Sequence, residues 1–314
     1  MGSLEFPIGP PVVNFCKQDL KPGTSQWDYL KYQVKHALEE YGCFKVVYDK
    51  VPSDFRNDVF DGLKELFNLP TETKHRISYG RAFNCYLTSP QPTLFESIGV
   101  EGADVFEMAQ SFTNTLWPEG NPNFCKTFNS YAKQISEIDH AVRRMVLEMF
   151  GVEKYYDEHF ESSCKVLRLM KYKAPETNEK RVGIESHTDE GIVTVIHQNQ
   201  IEGLEIQSKD GEWISVELSP HSFFVIIGDV LMGWTNGRLR APQHRVCVRG
   251  YNDRYSLALF SMPKPGSIVK APEELVDEEH PLQFKPFEYD KFYEFLCSDV
   301  GLNSKSFLED FCGA

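Results

Sequence analysis

Long apolar runs are missing from this chain: no stretch approaches the roughly 20 residues that cross a bilayer, so no membrane span is expected. Basic residues are outnumbered, 33 Lys and Arg against 46 Asp and Glu, and the net charge of -13 repels phosphate backbones. A nucleic-acid partner is therefore not expected. Cysteine pairs at metal-finger spacing are absent too. Cysteines 16, 43, 85, 125, 164, 247, 297 and 312 are scattered, which suits free thiols in a reducing compartment. Met1-Gly2-Ser3-Leu4-Glu5-Phe6 carries no basic-then-apolar leader, and Phe6 stands where N-myristoylation needs a hydroxyl. The expectation is a cytoplasmic monomer without membrane or nucleic-acid partners.

What is present reads as a globular protein, 41% hydrophobic and 25% charged. The first half is helical. Trp27, Leu30, Val34, Ala37, Leu38 and Tyr41 recur at three- and four-residue steps, with Ser25 able to cap and Gly42 able to stop the helix. Ser53 to Phe67 forms a second helix ahead of Pro70. Phe124, Phe128, Tyr131, Ile135, Ile138, Val142, Met145 and Met149 trace one long helix that Gly151 can end. Between them, Asn84 to Pro122 has weak periodicity and reads as a long irregular segment of the kind that covers binding sites.

From Val166 onward the pattern turns to strands: 166–172, 193–197, 204–208, 213–218, 223–227, 244–248 and 255–262. Asp210-Gly211 predicts a type I′ hairpin, and Asn236-Gly237 predicts the same before His244. Short strands joined by turns, without helices between them, indicate an antiparallel sandwich. The fold class is mixed with a β-rich core: a double-stranded β-helix, or jelly roll, with N-terminal helices, one long central helix and a C-terminal helix. Residues 1–150 form a largely helical region, 160–270 the jelly-roll core and 271–314 a helical extension, as one integrated unit.

The chemistry lies in a spaced set. His187 and Asp189 are two residues apart, so on a strand both reach one face, and His244 opens a later strand that a jelly roll can bring alongside. Two histidines and one carboxylate leave metal positions open, the facial arrangement of non-haem Fe(II) oxygenases. Arg254 and Ser256 share the same two-residue logic: a guanidinium and a hydroxyl on one face can hold a carboxylate. Singly, each of these residues is more often surface or packing. His36, His140, His159, His221 and His280 read as structural or surface residues, and His197 is the rival ligand because it follows the first pair closely.

With Pro10-Pro11-Val12-Val13, the run from Ala37 to Phe44, Gly203-Leu204-Glu205-Ile206, Gly228-Asp229, Asn236-Gly237 and His244-Arg245-Val246, the whole chain resembles the plant 2-oxoglutarate- and Fe(II)-dependent dioxygenases. The run from Leu116 to Pro122 and Leu169-Met170-Lys171-Tyr172 resemble the branch containing glucosinolate side-chain dioxygenases. The resemblance implies Fe(II) on His187, Asp189 and His244, and 2-oxoglutarate chelating it with the far carboxylate on Arg254 and Ser256. It implies O2 as co-reactant, succinate and CO2 as products, and hydroxylation, oxidative demethylation or related C-H oxidation of a small metabolite. Tyr172 matches a tyrosine that can donate to the same carboxylate. Met170 departs from the pattern, standing where many members have asparagine.

Strand periodicity points Phe260, four residues beyond Ser256, toward the site as an aromatic wall. Phe106 and Met108 in the irregular segment, with Phe292 and Phe295 on the C-terminal helix, are further wall candidates for a largely apolar, ring-containing small molecule. Two other readings stay open: an Fe(II) oxygenase that does not use 2-oxoglutarate, its anchor holding a substrate carboxylate, and a non-catalytic jelly-roll binding protein.

Overall fold

The Thr24 side chain, one residue ahead of the expected Ser25, accepts from the Trp27 amide and starts helix α1, Ser25–Tyr41. Gly42 ends it in the left-handed region at φ 66°, as anticipated. The computed structural model describes residues 9–16, 21–77, 85–88, 95–177, 179–304 and 306–314. Met1–Phe6 and part of the 84–122 segment lie outside them. Further helices are α2 (Ser53–Phe67), α3 (Thr71–Lys74), α4 (Phe106–Leu116), α5 (Pro122–Met149), α6 (Tyr156–Glu161), α7 (Asp229–Trp234) and α8 (Tyr289–Leu296). In α5, Pro122 sits in the first turn, where its missing N-H costs nothing, and Asn121 caps the Phe124 amide. Phe124, Phe128, Tyr131, Ile135, Ile138, Val142 and Met145 are all buried from it, each contributing about 1.5–3 kcal/mol. Among the described residues no helix is long and apolar enough to cross a membrane.

The strands are β1 (Val12–Asn14), β2 (Cys43–Val47), β3 (Tyr86–Thr88), β4 (Phe95–Glu101), β5 (Ser163–Tyr172), β6 (Arg181–His187), β7 (Val193–Gln198), β8 (Leu204–Gln207), β9 (Trp213–Ser215), β10 (Ser222–Ile227), β11 (His244–Val248) and β12 (Arg254–Pro263). Eight run in the order β1-β2-β10-β7-β12-β5-β4-β3, and β6-β11-β8-β9 form a second sheet. This is a jelly roll. One face of the large sheet packs on the helices through Val193, Val195, Leu257 and Leu259. The other meets the second sheet through Met170, Tyr172, Ile196, Leu204, Ile206, Val246 and Ala258. Because both faces are covered, β10 and β12 read as nearly continuous apolar runs rather than alternating ones.

Several expectations need correction. Within the 84–122 segment, the described residues from Phe95 to Leu116 are largely regular: β4 pairs along its length with β5, and α4 follows. Tertiary pairing makes β4 a strand although Glu96, Ser97 and Gly99 blunt its apolar signal. At Asp210-Gly211 only Gly211 has positive φ, 86°, so the turn is not type I′, and the Ser208 amide closes it onto the Glu212 carbonyl. Asn236 and Gly237 do take φ 53° and 75°, but they close helix α7, which the sequence reading omitted between β10 and β11. Strand β6 was missed because most of its side chains face solvent.

Candidate functional site

Strand alternation builds one wall of a cavity of about 300 Å³. Arg168, Met170 and Tyr172 on β5 line it, as do Arg254, Ser256, Ala258 and Phe260 on β12, while Leu167, Leu169, Leu257 and Leu259 point to the helical side. On β7 the same parity sends Thr194 and Ile196 to the cavity and His197 away from it. His197 is thus not a ligand. Its Nδ1 meets the Tyr131 hydroxyl at 2.9 Å and its Nε2 the Pro220 carbonyl at 3.3 Å.

His187 and His244 are direct cross-strand neighbours on β6 and β11, with ring centroids 4.3 Å apart. Asp189 does not share a strand with His187, contrary to the expected two-residue logic: β6 ends at His187, and the carboxylate arrives on the turn that follows. Backbone bonds fix that turn, since the Asp229 amide donates to the Asp189 carbonyl at 2.7 Å and the Val230 amide to that of Gly191. Gly228 is needed here for space. A Cβ would stand 2.3 Å from the Gly191 oxygen and 2.7 Å from that of Asp189.

Asp189 Oδ1 faces both imidazoles, 3.8 Å from His187 Nε2 and 3.5 Å from His244 Nε2. Ligand atoms of the three residues lie within 4.8 Å of one another, a set that can hold a metal ion. The other polar atoms are already engaged. His187 Nδ1 donates to the Glu185 carbonyl at 2.8 Å and His244 Nδ1 to that of Pro242 at 3.3 Å, so the free lone pair of each ring is on Nε2. Thr194 donates to Asp189 Oδ2 at 2.5 Å. Burial, with His244 adding to it, lowers His187 to about 4 and keeps it neutral, as a metal ligand must be. Burial alone would raise Asp189, but His244, His187 and Thr194 outweigh it and hold the carboxylate down at about 2. This donor set of two neutral-capable imidazoles and an ionised carboxylate fits Fe(II).

Arg254 is buried, 1% exposed. Its Nη2 donates to Gln198 Oε1 at 2.7 Å and its Nη1 to Ser256 at 3.2 Å, its guanidinium lies 4.8 Å from the Tyr172 ring centre, and its Nε has no hydrogen-bond partner among the described residues. A buried cation held only by neutral groups calls for an anion. A carboxylate entering from the cavity would supply one, so the pocket fits an organic acid. Gly203 leaves the room this side chain needs, for a Cβ there would sit 3.0 Å from Arg254 Cδ. Tyr172 is buried and aimed at Met170, whose sulfur accepts from its hydroxyl at 3.4 Å, the neighbour where asparagine was anticipated.

Of the wall candidates, Phe260 lines the cavity. Phe106 and Met108 do not: they lie on α4 at 45% and 48% exposure, because that segment is an amphipathic helix and not a covering loop. Phe292 and Phe295 also stay outside, their rings tilted against Phe311 with centroids 5.4 and 5.3 Å away. Tyr293 between them reaches the cavity instead. Sequence reasoning missed Gln198, Thr194, Arg168, Phe95 and Glu190. Parity on β7 and β5 could have found the first three; Phe95, 5.0 Å from the Tyr172 ring, needed the β4–β5 pairing.

Comparison with known proteins follows the same outline. Residues 153–263 match the 2OG-Fe(II) oxygenase superfamily, and residues 11–125 match the N-terminal region described as non-haem dioxygenase in morphine synthesis. A probable 2-oxoglutarate-dependent dioxygenase of Arabidopsis thaliana, AOP1.2, is 44% identical over 98% of this chain and 97% of its own. The rice dioxygenase for auxin oxidation superposes with a TM-score of 0.83 at 26% identity, covering 97% of this chain and all (100%) of the other. Its Arabidopsis thaliana counterpart in complex with 2-oxoglutarate gives 0.77 at 25% identity, covering 86% and 99%.

Proposed function

From the premise that the chain belongs to the 2-oxoglutarate- and Fe(II)-dependent oxygenase superfamily and is an enzyme of that type, we propose that it oxidises a plant small-molecule metabolite at one C-H bond. In this reading His187, Asp189 and His244 hold Fe(II), while Arg254, Ser256 and Tyr172 receive the far carboxylate of 2-oxoglutarate. The buried Arg254, with no carboxylate partner among the described residues and opening into the same cavity as the His-Asp-His set, carries the proposal. When bound, iron and cosubstrate supply the oxidising power, with 2-oxoglutarate and O2 converted to succinate and CO2 as the substrate is oxidised.

The protein's own part is positional. Glu185 and Pro242 carbonyls fix the two imidazoles, Thr194 turns Asp189 so that one oxygen faces them, and Gln198 fixes Arg254. Burial strengthens the pairing of the guanidinium with an incoming carboxylate. Phe260 and Phe95, with Ile184 and Leu87, give the cavity apolar walls that suit a ring-containing, mostly apolar substrate. The structural neighbours for auxin oxidation support auxin as one model for such a substrate.

The reading treats 1–150, 160–270 and 271–314 as one catalytic unit. Strands before residue 102 share the large sheet with β5, β7, β10 and β12, which supports it. In this reading the enzyme acts as a monomer in the cytoplasm, a reducing compartment that suits its free cysteines. The test is succinate release on adding Fe(II), 2-oxoglutarate, ascorbate and O2 with candidate metabolites. His187→Ala and Arg254→Ala should each abolish turnover while leaving the melting profile cooperative. Oxidation that proceeds without 2-oxoglutarate would overturn the proposal.

A further inference from the structure

A half-buried cation on the cavity wall makes no direct ion pair among the described residues, although the carboxyl of Glu190 on the same cavity feels its charge. Arg168 projects from β5 on the same face as Met170 and Tyr172. Its Nη1 donates to Ser97 Oγ at 2.6 Å, which fixes the side chain, and this uses one of five guanidinium N-H groups. Among the described residues no carboxylate oxygen lies within ion-pair distance of it, whereas its strand neighbours Lys165 and Lys171 both pair, with Asp104 and Asp253. The flanking positions are small: across β4 the residue opposite is Gly99, and across β12 it is Ala258. Room is therefore left beside the guanidinium on both sides.

Resting on the dioxygenase reading above and deepening it, we propose that the substrate carries a carboxylate and that Arg168 receives it. Arg254 is excluded as the receiver, since that reading assigns it to the cosubstrate. The two cations enter at different points of the wall: Arg254 faces Tyr172 across the sheet, and Arg168 lies four residues along β5 from Tyr172, about 13 Å of backbone at the rise of a strand. Glu190 also opens into the cavity, so the incoming carboxylate takes the guanidinium N-H groups of Arg168 that Ser97 leaves free, beside the small residues Gly99 and Ala258. The apolar body of the substrate then extends along Phe260 and Ala258 toward the histidines.

The experiment is isothermal titration of the full chain loaded with Mn(II) in place of Fe(II) and with 2-oxoglutarate. Phenylacetate, naphthylacetate and biphenylacetate are each compared with the corresponding primary amide, which keeps shape and removes charge. At least one acid should bind roughly tenfold tighter than its amide, as a charge-assisted bidentate contact exceeds a neutral one by that order. Arg168→Gln should bring the ratio close to one, and Arg168→Lys should retain part of it. A panel in which no acid outbinds its amide, or a preference that survives Arg168→Gln, overturns the inference. The same titrations report cosubstrate affinity: failure of the wild-type chain to bind 2-oxoglutarate strikes the dioxygenase reading itself, whereas intact cosubstrate binding without acid preference strikes only this inference.

Discussion

Thr194 Oγ1 donates to Asp189 Oδ2 at 2.5 Å, so that Oδ1 alone of the two carboxylate oxygens faces His187 and His244. The hydroxyl reaches Asp189 from the next strand, β7, and fixes a side chain that no strand of its own supports. Thr194→Val keeps the shape and deletes the donor. Iron affinity, read by competition with a chelating dye, should fall about 10- to 100-fold, the usual loss when a ligand's outer partner is removed. Unchanged affinity would show that the turn alone orients Asp189.

Gln198 does for Arg254 what Thr194 does for Asp189. Gln198→Met leaves the buried guanidinium without its shortest hydrogen bond, one to a charged group worth about 1.5–3 kcal/mol. The 2-oxoglutarate dissociation constant should rise by roughly one to two orders of magnitude. Titration without organic substrate isolates this effect, and a change under twofold would remove Gln198 from the argument.

Gly228 has φ -104°, which any residue adopts, so the effect of Gly228→Ala is purely one of space. Its Cβ would fall against the Asp189 and Gly191 carbonyl oxygens and push the turn outward. Loss of bound iron together with a lower melting temperature is expected. Alanine tolerated with full iron occupancy would contradict the packing described.

His197 gives the fold a dependence on acid. Burial, with Arg56 adding to it, lowers its folded value to about 3, against an unfolded value near 6.5. The unfolded chain therefore binds the proton more readily between these limits. The stability tied to the neutral ring is fully present above about pH 6.5 and is lost as pH falls toward 3, at about 1.4 kcal/mol per pH unit for one proton. Denaturation midpoints of wild type and His197→Gln, compared from pH 7 to about pH 4, should show a shallower decline in the variant. Parallel curves would indicate that other groups govern the acid limb.

How much of this was legible in the chain depends on where periodicity rules. The long helix, both early helices and the β12 residues Arg254, Ser256 and Phe260 follow from spacing, because covered sheets and amphipathic helices impose their periods on the sequence. Asp189 was found through a strand it does not occupy: the spacing pointed to the right residue, but a glycine-assisted turn does the positioning. Phe106 and Met108 were misread because α4 is short and its flank, at Gly102, looks like loop chemistry. Arg168 and Gln198 were passed over because a polar residue on a strand ordinarily faces water, and only the pairing of β5, β7 and β12 turns theirs inward.

Strand β2 pairs with β10, Cys43 opposite Ile226, although most of the chain's synthesis separates them. During translation β2 has only the three-residue β1 as a partner, and its other edge waits until residues beyond 227 leave the ribosome. Such distant pairing makes folding slow and leaves apolar strand edges open to aggregation meanwhile. Production of active protein should thus be limited by late sheet closure, and slower growth at low temperature should favour it.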